Sequence, residues 1–235
     1  MIRQALRRTA KWLLYNIGPA EPLRVWWMQR RGAALVEQWV ARGQPAPPPH
    51  RHKQEVLRQY ASAYRLRILV ETGTQHGHML AVLRKDFSRL YSVELDPVCY
   101  EKARRRFRSD HHIELFCGDS ADLLPEILVR LHEPALFWLD GHYNPNQAPS
   151  GEHVSPILAE LAHLLTAPRL GHVIIIDDAR LFNVRYGYPP LSEVLSMIER
   201  DGGWNVLLQD DSLRLTPRLQ EQVRPISEQS EPTHE

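Results

Sequence analysis

The stretch that decides the fold is Val70-Glu71-Thr72-Gly73-Thr74-Gln75-His76-Gly77. It joins an apolar strand pattern at residues 67–71 to a glycine loop and then to a helical pattern. The same alternation recurs along the chain, with further strands expected at 90–94, 113–117, 135–140 and 172–177. Continuous apolar strands that alternate with helices are typical of a parallel sheet covered on both faces, so we expect a doubly wound α/β fold.

The last two expected strands, 205–209 and 212–216, flank the turn signal Asp210-Asp211. So short a connection leaves no room for a crossover helix, and the two strands must therefore form an antiparallel hairpin. The sequence predicts a Rossmann-like, mostly parallel, seven-stranded sheet that ends in this hairpin and carries an N-terminal helical arm.

Four segments of different composition divide the 235 residues. They are a basic amphipathic helical arm (1–44), a stiff proline-rich linker (45–52), the main domain (53–216) and a polar tail (217–235). Residues 1–60 hold 11 Lys and Arg against 3 Asp and Glu, whereas the rest of the chain holds 18 against 25. The arm could therefore contact a membrane surface, a second copy of the chain or its own domain.

Composition excludes several classes of protein. The chain is 43% hydrophobic and 24% charged, which is typical of a soluble globular protein. Its apolar runs are far shorter than the roughly 20 residues that span a bilayer, and it shows no secretory cleavage pattern, so we expect a cytoplasmic protein, peripheral at the membrane at most. With Cys99 and Cys117 as its only cysteines, a disulfide framework or a cysteine-rich zinc site is excluded.

A carboxylate stands at the end of each of the first five expected strands, where open α/β sheets bind their ligands. The five acids are Glu71, Glu94, Asp119, Asp140 and Asp177. A single acid there is often a helix cap, but capping alone does not explain five in succession.

The first three acids indicate the chemistry of a ligand. The loop Gly73-x-x-x-Gly77 lacks the dinucleotide-binding fingerprint because Gln75 replaces its middle glycine, and Glu71 would repel a pyrophosphate. Glu94 follows Glu71 by 23 residues, close to the interval at which an acid binds ribose hydroxyls, and Asp119 could accept from an adenine amino group. These features predict an adenosine ligand that carries cationic groups and no phosphates.

Three motifs, at 71–77, 91–96 and 118–120, resemble those of class I S-adenosylmethionine-dependent methyltransferases, and the resemblance covers about residues 53–216. The segments 137–143 and 174–182 resemble a bacterial group related to sugar-modifying O-methyltransferases. The resemblance implies S-adenosylmethionine as cofactor and a hydroxyl of a small molecule or glycan as acceptor. The cofactor-binding residues it implies are Glu71, Gly73, Thr74, Gly77, Glu94, Asp119, Ser120 and Asp140.

A second acidic cluster consists of Asp140, Asp177 and Asp178. Neighbouring strands lie about 4.8 Å apart, so these carboxylates would converge, and a proton, an arginine or a divalent cation must offset their repulsion. Oxygen ligands suit Mg²⁺, Mn²⁺ or Ca²⁺, and the pattern resembles metal-dependent O-methyltransferases of the catechol and macrolide-sugar types. The alternative is that Asp177 caps a turn while Asp178 pairs with Arg180.

The candidate catalytic residues are His142 and Asp140. A metal would lower the pKa of an acceptor hydroxyl, and His142 could take its proton, although a ligand or structural role stays open. The lysine that catechol-type enzymes carry soon after this aspartate is replaced here by Gly141-His142-Tyr143.

Three other functions stay open at this stage. An NAD-type oxidoreductase is disfavoured by the missing glycine fingerprint. An amino methyltransferase acting on nucleic acid or protein is disfavoured because Asp140 is not followed by the Pro-Pro-aromatic motif. The Arg104-Arg105-Arg106 run suits a helix C-terminus better than nucleic acid. A non-catalytic cofactor-binding or scaffold protein would use the basic arm to hold a partner.

Overall fold

The computed structural model describes residues 21–141, 155–183 and 188–218. Three predictions lie outside these ranges: the helix expected at 1–18, the candidate base His142, and all but the first two residues of the tail. Within the described part the chain forms one seven-stranded sheet with helices on both faces.

The strands are short, and helices alternate with the first five of them. The strands are β1 (Ile68–Thr72), β2 (Arg89–Glu94), β3 (Ile113–Cys117), β4 (Ala135–Leu139), β5 (Val173–Ile176), β6 (Trp204–Gln209) and β7 (Ser212–Pro217). The helices are α1 (Glu21–Ala41), α2 (His50–Ala63), α3 (His78–Leu83), α4 (Pro97–Arg106), α5 (Ser120–Leu128), α6 (Ile157–Thr166) and α7 (Leu191–Asp201), with a 3₁₀ turn at Ala179–Leu181.

The strand order is β3-β2-β1-β4-β5-β7-β6, with β1 to β5 parallel and β7 antiparallel to both of its neighbours. This order confirms the predicted mostly parallel sheet and its terminal hairpin. Asp210 and Asp211 both adopt positive φ angles, of 47° and 60°, which the tight turn of such a hairpin requires. The order reverses between β1 and β4, so the carboxyl ends of these two strands border the crevice where ligands of such sheets bind.

Burial on both faces explains why the central strands are apolar throughout. Every residue of β1, β4 and β5 is buried. Side chains such as Val70 and Phe137 join the cluster beneath α5, α6 and α7, whereas Leu69 and Trp138 join the one beneath α2, α3 and α4. The alternation of strand side chains therefore builds two apolar layers on one sheet.

Helix α1 packs against α2, and the proline segment between them contacts α1. The Trp39 side chain is only 2% exposed, and its indole N–H donates to the Pro45 carbonyl at 2.7 Å. Its ring lies 4.6 Å from that of His52. Helix α2 begins at His50, three residues before the expected start, because the chain turns there and continues as helix against α1.

The opposite side of α1 is exposed. Trp26 and Trp27 are both about half exposed, and the guanidinium groups of Arg30 and Arg31 each lie 5.4 Å from one of their rings. No helix in the described ranges combines the length and the apolar character needed to cross a membrane. The helix therefore packs by one face and presents aromatic and basic side chains on the other.

We predict that Trp39→Ala lowers the free energy of unfolding by about 3–5 kcal/mol, because it removes a buried aromatic side chain between α1 and α2. The matched variant Trp27→Ala, whose side chain is 49% exposed, should change it by less than about 1 kcal/mol. Urea denaturation of both variants measures this. Equal stabilities would mean that α1 does not fold together with the domain.

Candidate functional site

The loop after β1 folds over the tip of β2 and against the end of β4. The amides of Gly73 and Thr74 both donate to the Val93 carbonyl, at 2.9 and 3.1 Å. Gly73 has a φ of +90°, and a Cβ at this position would collide with the Asp140 carbonyl oxygen. The close approach of the loop to β4 therefore requires glycine here.

Gly77 is the N-cap of α3 and has a φ of +63°, and a Cβ there would lie 2.6 Å from the Phe107 ring. Gln75 replaces the middle glycine of the dinucleotide fingerprint, yet it also adopts a positive φ of 48°. The loop thus keeps the backbone conformation that a glycine would favour while carrying an exposed side chain at this position.

Glu71 is buried at the bottom of this loop, with 2% of its surface exposed. Burial raises the pKa of its carboxyl to about 8; the hydrogen bond from Ser92 opposes this rise, and the charges of Asp140 and Glu94 add to it. Ser92 Oγ donates to Glu71 Oε2 at 2.5 Å and lies 2.6 Å from Thr74 Oγ1. The carboxyl is therefore mostly protonated at neutral pH and would ionise when a cation approaches.

Glu94 fixes the loop to the tip of β2. Its two carboxylate oxygens accept from the amides of Gln75, at 2.5 Å, and Asp96, at 2.9 Å. A carboxylate oxygen has two lone pairs, so each oxygen keeps one site for a further donor. The predicted contact with ribose hydroxyls is compatible with this geometry and stays a prediction.

Asp119 caps α5, since its Oδ1 accepts from the Ala121 amide at 2.9 Å. Asp119 therefore has the helix-capping role that a single acid at a strand end often has. The side chain is exposed, and the predicted adenine contact stays a prediction. Ser120, which follows it, is buried.

The sequence analysis missed Glu160, a fully buried acid of α6. Burial raises the pKa of its carboxyl to about 7, the neighbouring hydroxyl groups of Ser120 and Thr72 oppose this rise, and the charge of Asp119 adds to it. A Cβ on Gly141 would lie 3.7 Å from Glu160 Oε1, so this acid lies directly behind the end of β4. The sequence signal that could have indicated Glu160 is a single acid on the apolar face of α6.

The second acidic cluster carries its own cation. Lys53 of α2 donates to Asp178 Oδ1 at 3.0 Å and also to Asp177, and all three side chains are buried. Arg180 donates to Asp178 Oδ1 at 2.7 Å, which is the pairing expected as the alternative to a metal site. Sequence reasoning missed Lys53 because it lies in a helix 124 residues before Asp177.

The predicted metal ligands Asp140, Asp177 and Asp178 do not fit a divalent cation as they stand. An ammonium group lies between the carboxylates of Asp177 and Asp178. In the ranges that the structure covers, no three His, Cys, Asp or Glu side chains are grouped to hold a metal ion. Asp140 itself is half-buried, and its amide donates to the Thr72 carbonyl at 3.1 Å.

Comparison with solved structures gives the fold its name. The O-methyltransferase TomG from Streptomyces achromogenes, in complex with S-adenosylmethionine, matches 79% of this chain and 87% of its own, with a TM-score of 0.52 and 18% identity. An O-methyltransferase from Bacillus cereus, in complex with S-adenosylhomocysteine, matches 79% of this chain and 90% of its own, with a TM-score of 0.52 and 17% identity. The methyltransferase PaMTH1 from Podospora anserina, bound to S-adenosylhomocysteine, matches 92% of this chain and 96% of its own, with a TM-score of 0.54 and 15% identity.

No protein-family model and no curated protein sequence matches the chain. At identities this low, similarity of structure establishes the fold and nothing finer. The chain therefore has the class I methyltransferase fold, as the three sequence motifs indicated.

We predict that Gly73→Ala is much more destabilising than Gly43→Ala. Both glycines have a positive φ, +90° and +81°, so alanine costs about 1–2 kcal/mol of strain at either position. Only at residue 73 does the new Cβ meet another atom, the Asp140 carbonyl oxygen, and this contact should cost at least about 1 kcal/mol more. Denaturant midpoints measure the difference, and equal losses would contradict the close approach of the loop to β4.

Proposed function

We propose that this chain is an S-adenosylmethionine-dependent methyltransferase that transfers a methyl group to a hydroxyl oxygen of a small molecule or glycan. The observation that carries the proposal is a row of acids at the tips of β1 to β4, next to a glycine loop at the reversal of strand order. Among the described residues, no Lys or Arg forms an ion pair with Glu71 or Glu94. A ligand that brings its own positive charge suits such a site.

The chemistry of the site fits this cofactor in preference to a dinucleotide. Glu71 and the loop around Gly73, Thr74 and Gly77 would hold its cationic methionine part. Glu94 would accept from the ribose, and Asp119 with Ser120 would border the adenine. When bound, the cofactor supplies a methyl group on a sulfonium; the residues of the chain fix its orientation. The solved structures that support this view include O-methyltransferases in complex with S-adenosylmethionine or S-adenosylhomocysteine.

The acceptor side would lie beyond Asp140 at the tip of β4. His142 follows two residues later, outside the described ranges. We assign it the role of general base, because an alcohol must lose its proton as its oxygen attacks the methyl carbon. Asp140 would help to orient the acceptor.

The first test measures ligand binding by isothermal titration calorimetry. We expect S-adenosylhomocysteine to bind with a stoichiometry of one per chain and NAD⁺ to show no binding, because the loop carries Gln75 where the dinucleotide fingerprint has its middle glycine. Binding of NAD⁺ alone would replace this proposal with an oxidoreductase. If neither ligand binds, a scaffold function follows.

The second test uses the raised pKa of Glu71. Below a pH of about 8 the free carboxyl is mostly protonated, so affinity for the cationic cofactor should rise with pH, by at most about tenfold per unit, and level off above it. Glu71→Gln should abolish this dependence and leave only the titration of the ligand itself. A ratio of wild-type to variant affinity that stays constant from pH 6 to 9 would exclude Glu71 from charge recognition.

The third test separates catalysis from binding. His142→Ala should lower kcat by about 10²–10⁴-fold, the usual contribution of a general base, with little change in the affinity for S-adenosylhomocysteine. Transfer of labelled methyl groups to a panel of hydroxylated acceptors measures kcat. An unchanged rate in the variant would assign the base to another residue.

A further inference from the structure

A lysine lies between Asp177 and Asp178, where the sequence predicted a divalent cation. We propose that Lys53 replaces that cation as the positive charge between Asp177 and Asp178, so that this chain works without a metal and Lys53 is a positioning residue for the acceptor side. The role of Lys53 on the acceptor side rests on the proposed function. The ion pairs of Lys53 with Asp177 and Asp178 do not depend on it.

The contacts of Lys53 are those of a resident cation. Its Nζ donates to both carboxylates, reaching Asp178 Oδ1 at 3.0 Å. The side chains of Lys53, Asp177 and Asp178 are all 10% exposed or less, so water does little to screen the three charges. Buried carboxylates that are not neutralised would be strongly unfavourable. Lys53 donates to both of them and offsets one of their two negative charges.

The two carboxylates have more than one cation beside them, the first of which is Lys53 between them. Arg180 adds a second cation on Asp178. A divalent ion that entered between the carboxylates would meet a fixed positive charge, and it would have to displace a buried side chain to bind.

The helix that carries Lys53 is anchored on both sides of this residue. Arg51 donates to the Gln29 carbonyl of α1 at 3.0 Å, and His52 Nε2 lies 3.0 Å from Asp210 Oδ2 in the hairpin turn. The next residue, Gln54, is buried and accepts from the Gln29 side chain at 2.9 Å. The ammonium group is therefore held at the tip of β5 by the packing of α1, α2 and the hairpin.

The proposal explains why a lysine lies beside the acids that follow β5, which the fold alone does not require. In a sheet of this kind the acids after β4 and β5 lie side by side, and their repulsion must be offset. The chain meets this need with a lysine from the segment before β1. A fixed ammonium group near Asp140 would also favour an acceptor that becomes an alkoxide as it reacts.

The test titrates the whole 235-residue chain with Mn²⁺ and follows free Mn²⁺ by electron paramagnetic resonance. We expect no stoichiometric binding to the wild type at micromolar concentrations, and a thermal midpoint that is the same in EDTA and in millimolar Mg²⁺. Binding of one Mn²⁺ per chain at these concentrations, or a midpoint that falls in EDTA, would overturn the proposal.

Two variants complete the test. Lys53→Ala should lower the midpoint in EDTA by several degrees and gain a response to Mn²⁺, because it removes the ammonium group that Asp177 and Asp178 share and leaves only Arg180, on Asp178, beside them. A merely structural lysine would give no such gain. Arg58→Ala is the matched control, since Arg58 lies on the same helix in a partly exposed pair with Asp86 and should change neither property. A folded Lys53→Ala protein that ignores Mn²⁺ would overturn the proposal.

The two proposals can fail separately. Binding of S-adenosylhomocysteine to the wild type is measured on the same protein sample. A wild type that binds S-adenosylhomocysteine and also Mn²⁺ would contradict only the role of Lys53. A wild type that binds neither ligand would contradict the proposed methyltransferase function and would not contradict the role of Lys53 as the resident cation.

Discussion

Repulsion between carboxylates at one edge of the sheet is the constraint on which the rest of this structure depends. Parallel strands bring their carboxyl ends together, so acids at the tips of β1, β2, β3, β4 and β5 share a single edge. The chain offsets their charges in three ways. Glu71 stays protonated, Glu94 and Asp119 accept from backbone amides, and Asp177 and Asp178 share an ammonium group.

These three solutions divide the edge into two sides with different chemistry. At the tips of β1 and β2 the acids are satisfied by hydroxyl and amide donors, and they keep a capacity for positive charge. At the tip of β5 the acids are already neutralised by Lys53 and Arg180. A cationic ligand would therefore be attracted to the first side only.

The sequence predicted the fold and the acids that stand at the ends of its strands, because both depend on local patterns. Apolar strands followed by acids, and a turn at Asp210-Asp211, are visible in neighbouring residues. The missing parts depend on distant contacts. Lys53 meets Asp177 across 124 residues, Glu160 is placed by the packing of α6, and the segment before His50 turns because Trp39 is buried against it. No pattern within one segment encodes these contacts.

The most direct test of the account is a crystal structure of the chain with S-adenosylhomocysteine. The account predicts that the amino-acid part of the ligand lies over the loop around Gly73, with its ribose hydroxyls on Glu94, its adenine beside Asp119 and its sulfur facing Asp140. A ligand bound away from the tips of β1 and β2 would contradict it. A complex in which the chain's own side chains fill the space at these tips would also contradict it.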